Sequence, residues 1–173
     1  MLDKLYSIEK ILGTYLRNKN ITFHSMYIDY EPPIVERIWF QLGDDRVYLH
    51  KIHKAKNFQT LYHPHPWKSA IRIVEGSYEM GVGHSATDET PPTDCLLVLK
   101  QGSAYTMFEQ DAWHWVNPIT DFVYSLMITG ERFNRKMPVE PEKKFNELTS
   151  EQFKDIIAVF QNYYPENDYE SEN

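Results

Sequence analysis

The 173-residue sequence predicts an all-β sandwich or barrel with one helix at each end, and three observations carry that expectation. From Thr22 the chain breaks into short runs rich in Ile, Val, Tyr, Phe and Trp, separated by Pro32-Pro33, Gly43-Asp44-Asp45, Glu75-Gly76 and Gln101-Gly102. Before that point apolar residues recur at near-helical spacing, and after Arg132 they do so again. Many short strands joined by close turns is the pattern of sandwiches and barrels.

Taken in order, Leu5, Ile8, Leu12 and Tyr15 place one apolar stripe on a helix over about residues 2–18, which Gly13 weakens slightly. The strands occupy about 22–132. Within them, Cys95 begins the apolar run CLLVLK and reads as a small core residue. Gly81-Val82-Gly83 lacks the Gly-Lys-Ser/Thr ending of a phosphate loop. A second helix is expected at 149–163: Thr149 with Gln152 three residues on forms a capping box, and Phe153, Ile156, Ile157 and Phe160 supply an apolar stripe that packs on the outside of the barrel. Residues 166–173 are polar and acidic, with too little apolar surface to offset ordering entropy, so a disordered tail is expected beyond a single domain of residues 1–165.

Composition narrows the function. A formal charge of −7 argues against nucleic acid or an anionic membrane surface as a partner. No apolar stretch approaches the roughly 20 residues that span a bilayer. The single cysteine cannot form an internal disulfide, and no secretory signal pattern opens the chain, so a cytoplasmic setting is expected. Asn20-Ile21-Thr22 then matches a glycosylation acceptor only by chance. Small molecules or protein partners remain, a homodimer among them.

The chemistry concentrates in HPHPWKSAIRIVEG, which begins at His63. Residues i and i+2 of a strand point to one face, so His63 and His65 aim two imidazoles at one point. His114, in DAWHWVNP, lies far enough downstream for intervening strands to return it beside that pair. The competing reading is a pair of buried polar residues hydrogen-bonded inside an empty barrel. Alternation turns Trp113 and Trp115 away from His114, towards packing helices or a partner surface. His50 and His53, an odd number of residues apart, face opposite sides of their strand, and His24 and His84 read as surface or loop residues.

In pattern these residues resemble the cupins. The first cupin motif runs HxH, three or four residues, Glu, six residues and Gly: His63, His65 and Gly76 stand in register, with Ser69 at the glutamate position. His114 stands at the histidine of the second motif, and the resemblance spans about residues 34–130. It implies a double-stranded β-helix, or jelly-roll, barrel. With Ser69 a poor ligand, it implies three-histidine coordination by His63, His65 and His114, similar to cysteine dioxygenase and related thiol dioxygenases. Fe(II) is the metal implied, with Zn, Ni or Mn as alternatives.

The same resemblance assigns Arg37, 26 residues before His63, as a clamp for a substrate carboxylate, and Ser125 as a substrate-binding residue. Without it, Arg37 beside Glu36 reads as a solvated charge or a surface pair. Where those enzymes carry Ser-x-His-x-Tyr, this chain has Ser125, Met127 and Thr129, so an imidazole and a phenol are missing, and Tyr105 or Tyr124 would have to compensate from another face. The expected function is a metal-dependent oxygenase for a small carboxylated molecule. The competing class is a non-catalytic cupin that binds a small ligand or another protein.

Overall fold

The computed structural model describes residues 1–56, 60–134 and 145–166. Helix α1 (Leu2–Arg17) precedes ten strands: β1 (His24–Ile28), β2 (Val35–Leu42), β3 (Asp45–His53), β4 (His63–Pro64), β5 (Trp67–Glu75), β6 (Ser77–His84), β7 (Cys95–Lys100), β8 (Ala104–Met107), β9 (Ala112–Pro118) and β10 (Phe122–Arg132). Helix α2 (Ser150–Tyr163) follows. The acidic tail expected at 166–173 lies outside the described residues after Glu166. No described helix is long and apolar enough to cross a membrane.

Strands pair antiparallel into a six-stranded sheet, β1-β2-β3-β10-β5-β8, and a four-stranded sheet, β4-β9-β6-β7. Alternation decides what each strand buries where. In β2, Ile38 and Phe40 face outwards into a core shared with Leu5, Ile8, Leu12 and Leu16 of α1 and Ile156 and Phe160 of α2. Val47 and Leu49 of β3, Leu126 and Ile128 of β10, and Ala70 and Val74 of β5 join them. The opposite residues of the same strands, Tyr48, Ile52, Ile71, Ile73, Val123 and Met127, meet Tyr78 and Met80 of the facing sheet in a second core between the layers. A sheet buried on both faces explains why these segments read as nearly continuous apolar runs.

Helix α2 begins where local chemistry predicts. Gln152 N–H donates to Thr149 Oγ1 at 3.2 Å and Thr149 N–H to Gln152 Oε1 at 2.9 Å, so the expected capping box is present. Arg17 ties the helices together: its guanidinium donates to the carbonyls of Gly13, Tyr164 and Gln161.

Two expectations need correction here. Trp113 and Trp115 do turn away from His114, but neither meets a helix. They lie buried on the outer face of the smaller sheet beneath the segment 85–94, with Trp113 Nε1 donating to Ser85 O at 3.4 Å and Trp115 Nε1 to Thr93 Oγ1 at 3.3 Å. Gly81 makes this packing fit, because a Cβ there would collide with the Trp115 indole. Cys95 is exposed rather than in the core, because β7 is the edge strand of its sheet and lacks a neighbour on one side.

Candidate metal centre

His63 and His114 are directly opposed in the β4–β9 pairing, which sets two imidazoles side by side before any other contact is considered. The prolines of HPHPW suit β4, a two-residue strand at the edge of its sheet, where a missing backbone donor costs nothing. His65 follows two residues on and turns to the same side. The three rings form one cluster, with centroids 4.8 Å apart for His63–His114, 4.7 Å for His65–His114 and 5.5 Å for His63–His65. Among the described residues, these three form a group able to hold a metal ion, one nitrogen from each lying within 4.8 Å of the others.

The donor chemistry fits such an ion. Leu61 O, which can only accept, lies 3.0 Å from His63 Nδ1, so that nitrogen carries the hydrogen and Nε2 presents a lone pair. His65 Nδ1 lies 2.9 Å from Ser69 Oγ, and His65 Nε2 faces His114 Nε2 at 3.0 Å. Burial holds all three imidazoles in their neutral, ligating form. It lowers His63, with Arg37 adding to the effect; it lowers His65 to about 3, reinforced by His63 and Arg37; and it sets His114 well below its usual value, reinforced by His65 and His63. His114 Nδ1 is buried without a hydrogen-bond partner among the described residues, so no acceptor orients that ring from behind.

Ser69 has a different role from the one its motif position suggests. It does not stand beside the ligating nitrogens. Fully buried, it holds the far side of the His65 ring and fixes its orientation. Ser69→Ala is therefore expected to weaken metal binding about 10- to 100-fold without abolishing it, as loss of a ligand-orienting partner does. Competition titration with a chromophoric chelator measures this; unchanged affinity would show that the hydroxyl does not position His65.

Arg37 points inwards between the sheets, not to the surface with its neighbour. Glu36 goes to the opposite face, where its Oε1 lies 2.7 Å from His53 Nε2. Arg37 Nε donates to His50 Nε2 at 2.9 Å, and the guanidinium lies 5.2 Å from the Tyr48 ring centroid. Among the described residues no carboxylate lies within salt-bridge distance of it. Because His50 Nε2 accepts, its Nδ1 carries the hydrogen directed at Ser125 Oγ, 3.3 Å away. Arg37, His50 and Ser125 thus form one row across β2, β3 and β10, each directly opposed to the next.

His50 is the residue that sequence reasoning left out. Hairpin arithmetic contained the signal: Leu42 opposes Asp45 around the Gly43-Asp44 turn, and the same register sets Arg37 opposite His50. As expected, His50 and His53 face opposite sides of β3. His24 stacks on Trp39 at 4.2 Å, and His84 is exposed beside Asp94. Of the two tyrosines considered as substitutes, Tyr105 faces the site, 6.3 Å from His114 between centroids, and accepts from the Tyr78 hydroxyl at 2.8 Å. Tyr124 packs in the outer core against Phe160 and is excluded from the site. Met127 and Thr129 are buried on the same side of β10 as Ser125.

Four histidines with depressed pKa values, His50 and His114 buried and His63 and His65 half-buried, carry a pH consequence. Burial also sets His50 well below its usual value, with Arg37 and His65 adding to it. Below about pH 6.5 the unfolded chain takes up protons that the folded chain refuses, so stability is full above that pH and declines as pH falls towards the folded values, that of His65 being about 3. Metal-free protein is expected to lose thermal stability steadily from pH 6.5 to 4, with a shallower slope in His50→Gln. Thermal melts in chelator check both, and a flat profile would contradict the neutral buried state.

Two antiparallel sheets packed face to face with three inward histidines between them define an all-β barrel-like fold with a candidate metal site. No protein-family model matches the chain, and no curated protein matches it. Among solved structures, it is similar to hydroxypropylphosphonic acid epoxidase from S. wedmorenis, at 11% identity and a TM-score of 0.48 over 64% of this chain and 56% of that one. KdgF from Halomonas sp. gives 16% identity and a TM-score of 0.44 over 61% and 88% of the two chains. A structure of the DMSP lyases RdDddP and RnDddQII gives 14% and 0.44 over 60% and 51%. The chain thus spans little more than half the length of the epoxidase structure. Likeness of this degree speaks to neither substrate nor reaction.

Proposed function

We propose that this protein is a metal-dependent oxygenase acting on a small carboxylated molecule, with Fe(II) held by His63, His65 and His114. The observation that carries the reading is the combination inside one barrel of three neutral imidazoles and a guanidinium without a carboxylate partner among the described residues. Arg37 and the three histidines face the same interior, and the Arg37 charge adds to the lowering of His63 and His65. When bound, a ferrous ion supplies dioxygen chemistry at the positions that three imidazoles leave open.

The chain's own groups do the positioning. Arg37 uses its Nε on His50 and keeps its terminal nitrogens for a planar, paired contact with a carboxylate. His50 and Ser125 hold that guanidinium in place from behind. Tyr105 stays protonated because burial raises it, and with Tyr78 donating to its oxygen its own proton is available to a ligand. This hydroxyl supports the reading where Met127 and Thr129 offer no acid–base group near neutral pH.

The test is metal content after purification in chelator-free buffer, followed by oxygen consumption by the Fe(II)-loaded protein with a panel of small thiols and small carboxylic acids. Oxygen uptake that depends on both iron and an acid is expected. Failure to take up Fe(II), Zn(II) or Ni(II) in anaerobic titration would overturn the reading. Acid binding without oxygen uptake would replace it with a ligand-binding module.

A further inference from the structure

Two sheets have four outer edges, and among the described residues three of them are covered or short. β1 is covered by the later chain, with Tyr27 N–H donating to Asn146 O at 2.8 Å. β4 is two residues long and interrupted by proline. β8 is only four residues long and none of its residues is fully exposed. β7 has six residues without proline and among the described residues pairs only with β6, so its other side presents a row of backbone donors and acceptors. It is also apolar where water reaches it: Leu96 is 60% exposed, Leu97 38% and Val98 64%.

The sequence of this edge complements itself. Antiparallel pairing of two copies about Leu97 opposes Asp94 with Lys100, Cys95 with Leu99, and Leu96 with Val98, and every relation repeats across the two-fold axis. Asp94, Leu96, Val98 and Lys100 alternate onto one face, so four exposed apolar side chains would form a patch closed at each end by opposite charges. Shifting the axis by half a residue would set Asp94 against Gln101 and Lys100 against Cys95, leaving both charges unmatched. Within its own chain Asp94 Oδ2 lies 3.2 Å from His84 Nδ1 in an exposed pair.

We propose that β7 is a homodimer interface at which two copies of this chain pair edge to edge, antiparallel about Leu97, joining their four-stranded sheets into one of eight strands. The second copy is the occupant because the edge matches itself in apolar content and in charge, on a chain whose overall charge of −7 otherwise opposes self-association. The inference is independent of the metal reading, since no residue of the site lies on β7.

The 173-residue chain is expected to show a light-scattering mass of twice 20.6 kDa that falls on dilution. Lys100→Asp, which sets like charges together twice per interface, is expected to weaken the dimer at least about tenfold. Asp94→Lys combined with Lys100→Asp should restore it, which a folding defect would not do. In a Cys95→Ser background, Leu97→Cys is expected to cross-link two chains under mild oxidation. A wild type that stays monomeric at high concentration would overturn the proposal. So would a dimer that is indifferent to Lys100→Asp and gives no Leu97→Cys cross-link.

Discussion

His114→Ala is expected to take the purified protein from about one equivalent of bound transition metal to almost none. His114 is the partner that β9 brings directly opposite His63, and its Nε2 faces that of His65. Removing it leaves two imidazoles and breaks the three-nitrogen face, a larger loss than the 10- to 100-fold that follows from disturbing an orienting contact. An affinity loss of at least about a hundredfold is therefore expected in anaerobic Fe(II) titration, with far-UV circular dichroism unchanged. His63→Ala should behave alike, because the Leu61 carbonyl keeps that ring poised for ligation. Retention of full metal content by either variant would move the site elsewhere.

Arg37→Ala is expected to weaken binding of a substrate acid by roughly 2 to 5 kcal/mol, the cost of leaving a buried charge without its partner. Metal content should not change, since no contact joins Arg37 to a ligating histidine; its hydrogen bond goes to His50. Arg37→Lys should recover only part of the loss, because an ammonium cannot make the paired planar contact. Isothermal titration with a carboxylic acid and its neutral amide separates charge from shape: the variant should lose the acid and leave the amide nearly unaffected. Equal affinity of wild type and Arg37→Ala for the acid would remove the carboxylate from the proposed function.

Alternation made much of this site legible. His63 and His65 on one face, Arg37 opposed in direction to Glu36, and Ser125 in phase with Met127 and Thr129 all follow from a period of two. The capping box at Thr149 was equally readable, because it needs only residues three apart. Ser69 was harder. Its position in a motif says which strand it sits on, whereas its hydroxyl lies behind His65 because the chain turns between β4 and β5, and no spacing encodes that turn.

By itself the sequence determined the all-β fold with a helix at each end and set His63 and His65 on one face, because these rest on local periodicity and residue chemistry. Arg37 entered only through the family resemblance, since the residues alone read as a surface charge. The tertiary structure alone decided which strand lies at an edge and which residues meet across strands. Cys95 and CLLVL look like any buried strand, yet a missing neighbour exposes them. Trp113 and Trp115 are buried by a loop of their own chain, where alternation could say only that they turn away from His114. His50 became part of the site through a three-strand row. Periodicity specifies which residues share a face, but the partner of that face is set by long-range pairing, whose energy lies in packing between segments distant in the chain.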